Sequence, residues 1–195
     1  MAVNVDRVNG FRPVGTLAGG DWTASIRTYT MDATHDAVFI GDLVHFDADG
    51  YPDQYDAGDT QVFGVCVGVE VNPGLNALTE FPGYLDTNIA GKIRVATDPL
   101  LVMEVQEDGL VTPLVLADVN LNIEIISAAG STTTGISGME IDSTSAATTN
   151  TLPLRIVALV DRPDNQLASV DTTKPNARWL VTFANHAWNG LNVGV

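Results

Sequence analysis

Three histidines, one cysteine and a run of aspartates are the side chains here whose chemistry could exceed structure. His35, His45 and His186 are widely separated, and none pairs with another His or a Cys at the close spacing that zinc ligands adopt. Cys66 lies between two valines in an alternating stretch, the setting of a small packed residue. A single cysteine allows no internal disulfide, which fits a reducing compartment. The acidic stretch Asp47 to Asp59 (DADGYPDQYDAGD) invites a calcium test. Gly50 can take the glycine position of a calcium loop, with Asp47, Asp49 and Asp56 at ligand positions. His45 then occupies the first ligand position and no helices flank the loop, so an EF-hand is rejected. A looser cation site among Asp47, Asp49, Asp53, Asp56 and Asp59 stays open, with a solvated loop as the simpler reading.

Nucleophile and phosphate motifs fail in the same way. Gly135-Ile136-Ser137-Gly138 closes one residue too early for a nucleophile elbow and lacks the strand-to-helix context. Gly91-Lys92 has Asp86 where a P-loop needs its first glycine. Glu104 and Asp142 could meet as a glycosidase-type pair, but 24 acids in the chain bring such pairs together by chance. No catalytic residue, metal or cofactor is assigned, and a non-enzymatic protein is expected.

The elements that must position these residues are strands. Phe63 to Val71 (FGVCVGVEV) alternates large apolar residues with Gly64, Cys66, Gly68 and Glu70, the period of a half-buried strand. The small even residues imply another surface packed closely on the second face. The same period marks Lys92 to Val95, Leu101 to Gln106, Asn120 to Ile125 and Arg178 to Phe183. Leu154 to Val160 reads as a nearly continuous apolar strand, and Met139 to Ile141 as a short one. Asp49-Gly50 and Glu107-Asp108-Gly109 both carry hairpin signals. No amphipathic helix stands out. An all-β fold follows: one β-rich domain, barrel or sandwich, with extended N- and C-terminal arms and long loops.

Three segments divide the chain. Residues 1–22 read as an extended N-terminal arm, because Gly10, Pro13, Gly15, Gly19 and Gly20 oppose both helix and regular ladder. Residues 23–184 form the β-rich domain, and 185–195 a C-terminal tail. Aromatic and Arg residues dominate interface energetics. Phe11, Arg12, Trp22 and Trp188 are therefore the candidate partner-binding anchors of the arms, and Phe81 and Tyr84 those of the 72–91 loop.

Composition narrows the partners. With 195 residues, 45% of them hydrophobic, the chain can bury one substantial core. Its 17% charged content and mean hydropathy of +0.14 oppose global disorder. No apolar run approaches the ~20 residues of a membrane span, and the N-terminal residues lack the apolar core of a secretory leader. The net charge of −15 repels phosphate backbones. Neither nucleic acid nor membrane is an expected partner.

Several blocks together resemble one family. NGFRPVGTLAGG, Gly41-Asp42-Leu43-Val44, FGVCVGVEV, ATDPLLVMEVQEDG (96–109), GMEID with TNTLPLRIVALVDRPDN (138–165), and ARWLVTFANHAW run colinearly as in tailed-phage capsid cement, or head decoration, proteins. The resemblance implies a structural virion protein made in the host cytoplasm and bound to the outer face of the capsid. There it would cement neighbouring capsomers of the major capsid protein, as a homotrimer or a dimer. It carries no catalytic residues to transfer. The alternative is a virion-surface β domain that recognises a receptor or a carbohydrate.

Overall fold

The computed structural model describes residues 4–59, 61–71, 83–110, 112–165 and 175–188. Among them the chain forms strands and two short 3-10 turns, with no α-helix. The strands of the first half are β1 (Arg12–Thr16), β2 (Ile26–Thr30), β3 (Val38–Phe39), β4 (Leu43–Phe46), β5 (Pro52–Gln54), β6 (Gly64–Val71) and β7 (Tyr84–Leu85). Those of the second half are β8 (Gly91–Ala96), β9 (Leu101–Gln106), β10 (Asn122–Ile123), β11 (Ile125–Ile126), β12 (Glu140–Ile141), β13 (Leu154–Leu159) and β14 (Arg178–Phe183).

Two five-stranded antiparallel sheets carry the fold, in the orders β1-β9-β14-β13-β10 and β2-β8-β6-β4-β5. Both orders are open, so neither sheet closes into a barrel. Their facing sides share one core, in which Leu101, Met103, Val105, Trp179, Val181, Leu154 and Ile156 of the first sheet meet Leu43, Val65 and Ala96 of the second. A second cluster of Val44, Phe63, Cys66, Ile93 and Val95 covers the other side of the second sheet. The ribbon β3-β7 adds Val38 and Leu85 to this cluster. The β-rich domain read from the sequence is therefore present, with a sheet buried on both faces at its centre.

Four local expectations change. The N-terminal segment, expected to avoid a regular ladder, forms one with its own domain, because β1 pairs with β9 from Arg12 to Thr16. Pro13 is tolerated since β1 is an edge strand, and a register shift between Pro13 and Gly15 absorbs the irregularity. Phe11 is 1% exposed and belongs to the main core. The strict alternation of Phe63 to Val71 breaks at a register shift between Cys66 and Gly68: Val65 and Val67 pack on the main core, whereas Val69 beyond the shift packs with Cys66 on the second cluster. Gly64 does allow a close approach, since a Cβ there would lie 2.5 Å from the Ala96 carbonyl oxygen.

Among the described residues the hairpin expected at Glu107-Asp108-Gly109 is also absent. The Glu107 amide donates to the Ala177 carbonyl and that of Asp108 to Ile141, so long-range pairing replaces the local turn. By contrast the Asp49-Gly50 turn joins β4 to β5, with Gly50 at φ +85° and its amide bonded to the Asp47 carbonyl.

Candidate functional site

The site grows from the edge of the first sheet. In the ladder, Arg12 of β1 and Leu180 of β14 stand opposite Glu104 on either side of β9, and Arg178 stands opposite Gln106. Leu101, Met103 and Val105 point into the core, so Val102, Glu104 and Gln106 fall on the outer face. There Glu104 is nearly buried, and burying a carboxylate requires compensating charge. Three guanidinium groups supply it. Glu104 Oε1 accepts from Arg162 at 2.6 Å and Arg178 at 3.1 Å, while Oε2 faces Arg12 at 3.8 Å. Burial alone would raise the Glu104 pKa, but the bonds from Arg178 and Arg162 outweigh it and hold the carboxyl below its ordinary range.

Asn165 fixes the arginines in place. Its Nδ2 donates to the carbonyls of Val160 and Arg178, and its Oδ1 accepts from the Arg178 amide at 2.7 Å. That clamp locks the turn carrying Arg162 onto β14. The first described residues then cross the strand ends. The Arg7 amide donates to Gln106 Oε1 at 2.9 Å, the Arg7 carbonyl accepts from Arg178 at 3.2 Å, and Gln106 Nε2 donates to Asp6 at 3.0 Å. The result is a cleft of about 500 Å³ whose lining includes Arg7, Arg12, Arg162 and Arg178.

A second hollow of about 350 Å³ adjoins it, lined by Phe11, Trp22, Ile40, Val67 and Ile136 among others. Asn9 and Arg12 line both, so a basic cleft and an apolar groove share a wall. The groove depends on a tight chain crossing. Gly10 adopts φ +62°, and a Cβ there would come within 2.6 Å of the Gly41 carbonyl oxygen and closer still to Ser137. The Phe11 amide donates to that same Gly41 carbonyl at 2.8 Å. Phe11 thereby forms the floor, half-buried Trp22 a wall, and exposed Ile40 the rim.

Of the six sequence candidates, the structure brings Phe11, Arg12 and Trp22 together in this groove. Phe11 is a correction: its ring is core, so it supports the groove and offers almost no surface to a partner. Arg12 is exposed, with 61% of its side chain accessible, and Trp22 is half-buried. Tyr84 lies elsewhere, stacked on Phe39 with ring centroids 4.7 Å apart. Trp188 is 50% exposed beside Phe63 and His186, on a stretch tied to the domain by the Val62–His186 bridge. Phe81 lies outside the described residues. Sequence reasoning missed Arg7, Arg162 and Arg178. No local spacing links them, and their scarcity in an acidic chain was the only available signal.

The other chemistry-bearing groups are engaged structurally. Among the described residues no group of three or more His, Cys, Asp or Glu is arranged to hold a metal ion. In the acidic stretch, Asp53 accepts the amides of Asp36 and Gln54, Asp49 that of Tyr51, and Asp59 that of Asp56. Burial pushes the Cys66 thiol up to about 12, an inert setting. His186 is held down near 4 by burial and stays neutral. Asp142 accepts from Thr144 and has no role beside Glu104, whose partners are arginines.

Comparison with protein-family models, with curated proteins and with solved structures gave no match. Among the described residues no helix is long and apolar enough to cross a membrane.

Proposed function

We propose that this chain is a structural binding protein of the phage-cement type, seated on the outer face of a capsid and joining neighbouring capsomers of its major capsid protein. The observation that carries this reading is the paired surface at the β1 edge, where a basic cleft and an apolar groove meet at Asn9 and Arg12. Exposed Val5, Val14 and Leu17 extend its apolar character. Such a mixture of an aromatic wall, an arginine hub and a polar rim suits protein recognition. The platform behind it is braced, since Glu104, Asn165 and Gln106 tie the segments that carry the cleft's arginines to β9 or β14.

The physics of cementing follows. A ligand that binds only the assembled, expanded lattice stabilises that state by mass action. Repeated copies, or copies joined as trimers or dimers, add avidity without a new contact. The acidic exterior suits the outer side of a shell, away from enclosed nucleic acid. The test is cosedimentation with expanded and unexpanded shells of the cognate major capsid protein. Saturable binding to expanded shells, weakened by Arg12→Ala and Trp22→Ala, is expected. Equal binding to glycan-bearing surfaces and none to shells would favour the receptor-recognition alternative.

A further inference from the structure

We infer that the arginine-lined cleft binds clustered carboxylates presented by an acidic segment of a partner polypeptide, with an adjoining apolar side chain seated in the Trp22 groove. This deepens the proposed function, and rests on it only for where the partner is found.

Charge distribution points there first. The chain carries nine Lys and Arg residues against 24 acids, yet four of the nine line this one cleft. Asp164 also lines it, 3.8 Å from Arg162, so the lining sets four cations against one carboxylate and concentrates positive charge in a molecule of the opposite sign. Long-range repulsion from a net charge of −15 disfavours an extended polyanion such as nucleic acid. A short segment with a few carboxylates sits within a Debye length of the arginines and escapes most of that repulsion.

Donor capacity points the same way. Each guanidinium presents five N–H donors in a planar fork suited to carboxylates. Glu104 offers two oxygens to Arg12, Arg162 and Arg178 together; with Asp164 beside Arg162 and the Arg7 carbonyl on Arg178, several of their donors are still left for another acceptor. Arg7 is exposed and forms no ion pair among the described residues. Glu104 acts as the positioning residue: it gathers three cations that would otherwise repel one another and holds them facing one cleft. The two hollows are also adjacent. Because Asn9 and Arg12 line both, the natural occupant carries anionic and apolar groups side by side, as a polypeptide does and a small inorganic anion does not.

The experiment measures fluorescence anisotropy of a dye-labelled hexapeptide, four glutamates followed by two leucines, titrated with the full chain. Its glutamine counterpart and free citrate are compared. Expected is saturable binding of the acidic peptide, at least about tenfold tighter than the glutamine version, weakening steeply as salt rises from about 0.05 to about 0.3 M. Arg7→Gln with Arg12→Gln should reduce affinity about tenfold or more. Both residues are exposed, so the fold is kept and an unchanged melting temperature verifies it. Arg27→Gln with Arg94→Gln, exposed on the second sheet, should leave binding unchanged. No preference for the acidic peptide, an equal loss in the Arg27/Arg94 variant, or binding of citrate alone would each overturn the inference. If shells are still bound while the peptide is not, the inference fails and the cementing function stands. If the peptide is bound while shells are not, the cleft's ligand class stands and the cementing function fails.

Discussion

Replacing Phe11 by alanine separates a structural N-terminal segment from a detachable arm. The ring is 1% exposed, packed in the main core one residue before β1 pairs with β9. Truncating a buried Phe to Ala costs about 3–5 kcal/mol, combining lost transfer energy with the cavity left behind. For a chain of this size each kcal/mol lowers Tm by about 2–4 °C, so a loss of about 4 kcal/mol lowers it by roughly 8–16 °C. Trp22→Ala is the matched control. That side chain is half-buried on the groove wall, and its loss costs about 1–2 kcal/mol by area. Differential scanning calorimetry or urea titration of the two variants beside the wild type reads the difference directly. A Phe11→Ala protein melting within about 2 °C of wild type would refute the reasoning, since it would place the ring outside the cooperative unit.

Other perturbations have equally definite outcomes. Gly10→Ala forces a Cβ against Ser137 and the Gly41 carbonyl at φ +62°, and should destabilise by about 2 kcal/mol or more in urea unfolding. Burial raises Asp42 to about 6, despite bonds from the Phe39 amide and Gln54. Its folded pKa exceeds its unfolded one, so the unfolded chain ionises first and stability falls as pH rises from about 4 to about 6. The pH-dependent contribution is about 3 kcal/mol; Asp42→Asn should lack it, so it should appear as the change across that window in the stability difference between wild type and the variant. Glu104→Gln removes the carboxylate that three arginines share; because Arg12 and Arg162 reach solvent, it should cost about 1–3 kcal/mol in the same assay. Cys66 should react with a thiol reagent at the rate of global unfolding, because it is fully buried with its thiol near 12.

The strands were legible where alternation is strong and local. Leu101 to Gln106, Leu154 to Leu159 and Arg178 to Phe183 all form ladders where the period of two places them. What escaped depends on partners distant in sequence. Gly and Pro density argued against a ladder at Arg12–Thr16, yet an edge position next to β9 accepts both. The Glu107-Asp108-Gly109 turn signal lost to pairing with Ile141 and Ala177, residues far along the chain. The register shift after Cys66 has no signature in an alternating run. The site was half legible. Arg12 and Trp22 stood out by type, whereas Arg7, Arg162 and Arg178 converge only through Glu104 and the Asn165 clamp. Nothing local in the sequence announces that convergence.

In the cementing function proposed above, the β1-edge surface holds this protein to an assembled shell. The most direct measurement is the copy number and position of the chain in a cryo-EM map of expanded cognate capsids incubated with it. Cementing predicts copies across the outer lattice between capsomers, with Arg12 and Trp22 against the shell and an acidic shell segment in the arginine cleft. Density confined to a tail or spike, or a seated copy with the β1 edge turned to solvent, would contradict it.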